Sequence, residues 1–180
     1  MGGRLSFIVR RHENFMQRQI NEDELAIFYH AIGAAVWHIQ YLEDALVTYV
    51  VLKRHKRKPT TESDAYDRLE QERKGPLGAI YGRAKEEGIV PKEMEKRFST
   101  FLNERNWLIH RSKTESSADL YNDDLRTKMI NRIIAVQDES VNLKQFIFES
   151  MQAFVHAQGV DMASVYMVAN ETIRKLKGDA

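Results

Sequence analysis

Two very long windows of apolar periodicity constrain this chain more than any other feature. From Asn21 onward, Leu25, Phe28, Ile32, Val36, Ile39, Leu46 and Val50 recur at helical spacing to about His55. The pattern returns as Leu125, Met129, Ile133, Val136, Leu143, Ile147, Met151 and Phe154. Each window predicts one helix of about 33 residues, about 50 Å long. Residues 31–52 form the most apolar run, but His38, Glu43 and Asp44 interrupt it, so it reads as a core helix and not a membrane span. The ends of both helices are marked. Asn21 with Glu24 three residues on forms a capping box, and the acidic first turn suits the helix dipole. Asn122 or Asp123 caps the second helix, and Gly159 stops it.

Between and after them the pattern is shorter. Residues 60–74 are polar and predict a short, partly exposed helix or an ordered connection. Pro76 suits a first helical position ahead of Leu77, Ile80, Tyr81 and Ala84, and Gly88 ends that helix. Val90-Pro91 opens a further helix expected to reach about Arg111. Residues 112–120 read as a loop, placed to act as a flap over whatever precedes it. Asp161 caps a last helix bearing Met162, Val165, Ala169, Ile173 and Leu176. The fold class expected is all-α: an antiparallel helical bundle with two long helices, a shorter pair and a C-terminal helix. Residues 1–20 are expected to form an N-terminal arm, and residues 21–180 a single domain.

Composition narrows the function classes. A net charge of +1 gives no overall field to draw in nucleic acid, so any RNA site must be a local basic patch. With no cysteine there are no disulfides and no thiolate metal sites, which fits a reducing, cytoplasmic setting. No signal peptide is read. Met1-Gly2-Gly3-Arg4-Leu5-Ser6 matches a loose myristoylation pattern and is taken as a chance start. No Gly-rich phosphate loop, nucleophile elbow or metal-ligand spacing is present, so no metal site or cofactor is expected. His30 and His38 share a helix face without the acidic partners a metal site needs.

The chemistry concentrates in residues 101–112. Met94, Phe98, Phe101 and Leu102 mark an apolar face that continues through Leu108 and Ile109, yet Arg105 falls on it. An arginine there must snorkel out, find a buried partner or line a polar cleft. Glu43 occupies the same anomalous position on the first long helix, so the two are expected to pair; Glu104 is the backup partner. Asn106 and His110, four residues apart, stack on the adjoining flank. A planar cation, an amide and an imidazole at a helix end suit an anion such as phosphate.

Arg105-Asn106-Trp107-Leu108-Ile109-His110 resembles the R-N-x-x-x-H signature of HEPN domains, over about Asn21 to Gly159. These are small all-helical domains, many of them metal-independent RNases and toxins. The resemblance implies that Arg105, Asn106 and His110 are the catalytic residues of an endoribonuclease, toxin-like or defence-related. Its product would be a 2′,3′-cyclic phosphate formed by 2′-OH attack. It also implies a homodimer with two motifs facing each other, and allows a nucleotidyltransferase-like antitoxin as partner. Arg111 is expected to bind an adjacent phosphate or to cap the helix end. Trp107 is expected to pack in the core or a dimer interface. Lys53, Arg54, Lys56, Arg57 and Lys58 either close the first helix or touch an RNA backbone. The alternatives are a catalytically silent HEPN-like module that binds nucleotide or RNA, and a helical interaction module.

Overall fold

A computed structural model describes residues 17–55 and 61–178. Lys56, Arg57 and Lys58, together with most of the expected arm, lie outside the described residues. Among those described the chain is helical throughout, with no strand. The elements are α1 (Glu22–His55), α2 (Glu62–Arg73), α3 (Leu77–Glu86) and α4 (Lys92–Asn106). A π-helical turn (Trp107–Arg111), α5 (Ser112–Ser116) and a 3-10 turn (Ser117–Tyr121) follow. Then come α6 (Asp123–Ala157) and α7 (Met162–Leu176). No described helix is long and apolar enough to cross a membrane.

The capping box at α1 is formed in both directions. The Glu24 backbone N–H donates to Asn21 Oδ1 at 2.9 Å, and the Asn21 N–H donates to Glu24 Oε2 at 3.1 Å. Asn122 Oδ1 accepts from the Leu125 N–H at 3.0 Å to start α6, and Asp161 caps α7. Pro76 stands at the cap of α3 and not inside its first turn. Gly88 and Gly159 follow α3 and α6 with φ of 64° and 78°, the left-handed backbone that ends a helix at least cost on glycine.

The core is a seam between the two long helices, closed by α3 and α4. Ala35, Leu42, Leu46 and Val50 of α1 meet Ile133, Leu143 and Ile147 of α6, all fully buried. At position 140, where the α6 stripe lacks an apolar residue, buried Ser140 returns its hydroxyl to the Gln137 carbonyl at 2.6 Å. Tyr81 of α3 stacks on Phe98 of α4 at 5.2 Å between ring centroids.

α4 and α6 run antiparallel, joined by Glu104–Arg132 and Arg97–Glu139. The two longest helices, by contrast, run parallel. Arg126 at the start of α6 bonds Glu24 at the start of α1 at 2.8 Å, and Lys53 and Phe154 meet near their far ends. The physical reason is the excursion through α2, α3 and α4, which carries the chain back to its starting end before α6 begins. That starting end is tied by charge. Arg126, almost buried, bonds Glu24, Asp123 and the Leu120 carbonyl, while Arg18 reaches the same two carboxylates.

One expectation needs correction. Residues 112–120 are not a loop: helix continues directly out of the π-helical turn as α5 and then the 3-10 turn. Their Ser- and Asp-rich composition imitates a loop, but Ser112 bonds backward along the helix, and Leu120 packs on the core. The Tyr121 carbonyl also accepts from the Arg18 N–H at 2.9 Å, so this segment is pinned and is no free flap. The apolar stripe of α7 is uncovered, with Leu176 82% exposed and no α7 residue buried.

Candidate functional site

Arg105 lies in the last turn of α4, facing α1. Its Nη2 donates to Glu43 Oε1 at 3.1 Å, so Glu43 is the partner that its place on an apolar stripe demanded. Arg105 Nη1 donates to Asn106 Oδ1 at 3.3 Å, and its buried Nε has no hydrogen-bond partner among the described residues. Only about a fifth of the arginine side chain and under a third of the glutamate reach solvent. The guanidinium is therefore held on two sides, and three of its five N–H donors are not engaged by these two bonds.

Asn106 and His110 are both exposed, and His110 bonds to none of the described residues. Between them the helix widens. The Ser112 N–H reaches back five residues to the Trp107 carbonyl, which defines a π turn. The Leu108 carbonyl accepts the Ser112 hydroxyl at 2.7 Å. The extra residue in this turn breaks the straight phase expected through Arg111. Leu108 is buried, but Ile109, expected on the same face, is 39% exposed. Trp107, off that face in a straight helix, is buried in the core.

Glu104 does not serve Arg105. It takes both nitrogens of a fork from Arg132 on α6, at 2.7 and 3.1 Å. The Arg132 guanidinium lies over the Trp107 ring at 3.6 Å, a cation–π contact that fixes the indole from outside. Arg111 is exposed and sits 3.6 Å from Glu115, one turn further on. Arg54 is not a free cation: Glu87 takes its Nε and Nη2 at 2.6 Å each, and Glu72 takes Nη1. Lys53 lies over the rings of Tyr49 and Phe154. These two basic residues knit α1 to its neighbours. Among the described residues no three His, Asp or Glu side chains are gathered so as to hold a metal ion.

Sequence reasoning missed Arg132, which braces both Glu104 and Trp107. Its signal was faint, a single arginine beside Ile133 in the α6 stripe. It also missed Trp37 and Tyr41, exposed aromatics four residues apart on the uncovered face of α1, in edge-to-face contact at 5.9 Å. Aromatics at helical spacing off the apolar stripe were the available sign. Comparisons of the chain with protein-family models, with curated proteins and with solved structures gave no match.

Proposed function

We propose that the chain is a metal-independent endoribonuclease of the HEPN type, acting through Arg105, Asn106 and His110. The main support is the arrangement at the end of α4. A guanidinium is anchored by Glu43 at 3.1 Å, and the amide and imidazole that follow it are open to solvent. In the reaction the ribose 2′-oxygen bonds to phosphorus, and the bond from phosphorus to the 5′-oxygen breaks. A base takes the 2′-OH proton, and an acid delivers a proton to the leaving 5′-oxygen. Arg105 keeps its charge at any working pH and offers donors to the phosphorane oxygens. Asn106 orients either the imidazole or the phosphate, and His110 carries the proton.

One histidine cannot be base and acid in the same instant. Two facing copies would supply one for each role, so the reading includes a homodimer. Trp37 and Tyr41 on α1, and Ile109 beside His110, supply apolar surface on the two elements that carry the site. One observation favours the second reading, a silent nucleotide- or RNA-binding module. Arg105 already donates to the Glu43 carboxylate and to the Asn106 amide oxygen, and an arginine so engaged can position an anion without driving its cleavage.

The test uses an RNA oligonucleotide in EDTA and the same strand bearing 2′-O-methyl groups. The nuclease cuts the first, leaves 2′,3′-cyclic phosphate ends and spares the second. Cutting of both strands, or dependence on added metal, would reject this mechanism. Binding without cutting would leave the module.

A further inference from the structure

A groove of about 680 Å³ opens where α5 and the 3-10 turn meet α1, directly after the turn that carries His110. That volume lies within the range of small-molecule sites, about 300–1,000 Å³. Two large rings stand there in water: Tyr29 of α1 is 62% exposed, and Tyr121 of the 3-10 turn 47%. Neither phenol hydroxyl bonds to a described residue. Gln17 and Ser117 add neutral polar groups, and Ile32 supplies partly buried apolar surface. The groove lies on the motif's side of α1. Ile32 precedes Glu43 by about three helical turns, so the two share a flank, about 16 Å apart.

Charge narrows the occupant. Among the described residues that line the groove, Lys113 alone is charged, and it makes no ion pair with a described residue. Glu115 sits 3.6 Å from Arg111, and Glu24 and Asp123 accept from Arg18 and Arg126, so these acids are engaged elsewhere. Asp119 stays outside the lining. The opening therefore offers aromatic faces, neutral hydrogen-bonding groups and one positive charge. An aliphatic chain would cover the two hydroxyls and the amide without replacing their bonds to water, which is costly. A bare anion would leave both rings idle. A planar base with polar edges, joined to a phosphate, uses all three features.

We propose that this groove holds one unstacked nucleotide of a single-stranded RNA, a few nucleotides along the strand from the phosphate at Arg105. The base lies against the rings of Tyr29 and Tyr121, its polar edge faces Ser117 and Gln17, and an adjoining phosphate meets the Lys113 ammonium. The strand is taken from the RNA reading above, on which this inference rests; the place of its base comes from the groove alone. Stacking tolerates every base, so the groove adds affinity and sets the direction of the strand more than it selects a sequence.

The test titrates protein into a fluorescein-labelled 2′-O-methyl RNA dodecamer of mixed sequence and reads anisotropy. The strand cannot be cut, so the outcome is separate from whether the protein cleaves RNA, which the unmethylated strand reports. Tyr29→Ala and Tyr121→Ala should each weaken binding by about tenfold, and neither should affect an abasic strand of equal length. Tyr29→Phe, which keeps the ring, should bind like the wild type. Lys113→Gln should weaken both strands and lower the slope of log K against log salt by about 0.7. Tyr66→Ala, at a tyrosine on α2 that is 60% exposed, should change nothing. Circular dichroism confirms that each variant is folded. Absence of binding, equal binding by the wild type and both tyrosine-to-alanine variants, or an equal loss on the abasic strand would each overturn the proposal. Displacement of the strand by equimolar uridine 5′-monophosphate would assign the groove to a free nucleotide and overturn it as well.

Discussion

Replacing Glu43 by glutamine removes one charge from the Glu43–Arg105 pair while keeping its volume and one acceptor. The gross attraction at 3.1 Å is about 5 kcal/mol with an effective dielectric constant of about 20. Desolvation and side-chain ordering offset most of it. Exposed pairs retain about 0–1 kcal/mol, and breaking a fully buried one costs about 3–5 kcal/mol. Glu43 and Arg105, 30% and 21% exposed, fall between these limits. Glu43→Gln should therefore cost about 1–2 kcal/mol, a fall in Tm of about 3–6 °C for a chain of this size. A double-mutant cycle with Arg105→Gln, read by urea denaturation, should give a coupling energy of similar size. Under the proposed function, cleavage of RNA should fall by about tenfold to a hundredfold, because the guanidinium loses its anchor while keeping its charge. Additivity of the two substitutions to within about 0.3 kcal/mol would refute the idea that Glu43 holds Arg105.

Other consequences can be measured together. The Glu24 carboxyl is lowered to about 2, first by its hydrogen bonds from Arg18, then by the Asn21 N–H and the charge of Arg126. A lowered folded pKa means stability that is present above the ordinary value of 4.5 and lost as pH falls toward 2. Urea midpoints between pH 6 and pH 2 should fall more steeply for the wild type than for Glu24→Gln. Ser112→Ala removes the hydroxyl from the Leu108 carbonyl and should cost about 1 kcal/mol by denaturant titration. Trp107→Ala should cost about 3–5 kcal/mol, read the same way, because the indole is buried in the core.

The long helices were legible because their signals are local. Asn21 with Glu24, Asn122 and Asp161 are caps readable within four residues, and the stripes of α1 and α6 follow from the helical period. The Glu43–Arg105 contact was legible for a different reason. Two opposite charges on two apolar faces have few ways to avoid each other. What sequence concealed depends on distant partners. The parallel course of α1 and α6 depends on how far α2, α3 and α4 travel. Arg54 reads as part of a basic run until Glu72 and Glu87 come beside it. The π turn at Trp107–Arg111 leaves no mark in composition, because one extra residue in a turn changes phase and not polarity. Residues 112–120 misled because serine favours both loops and back-bonded helical turns.

Cleavage of one RNA substrate in EDTA by the wild type and by His110→Ala, prepared identically and shown to be folded, tests the account most directly. The account predicts cleavage by the wild type, with a loss of about a hundredfold or more in the variant. Equal cleavage by the two proteins, or none by the folded wild type, would contradict it.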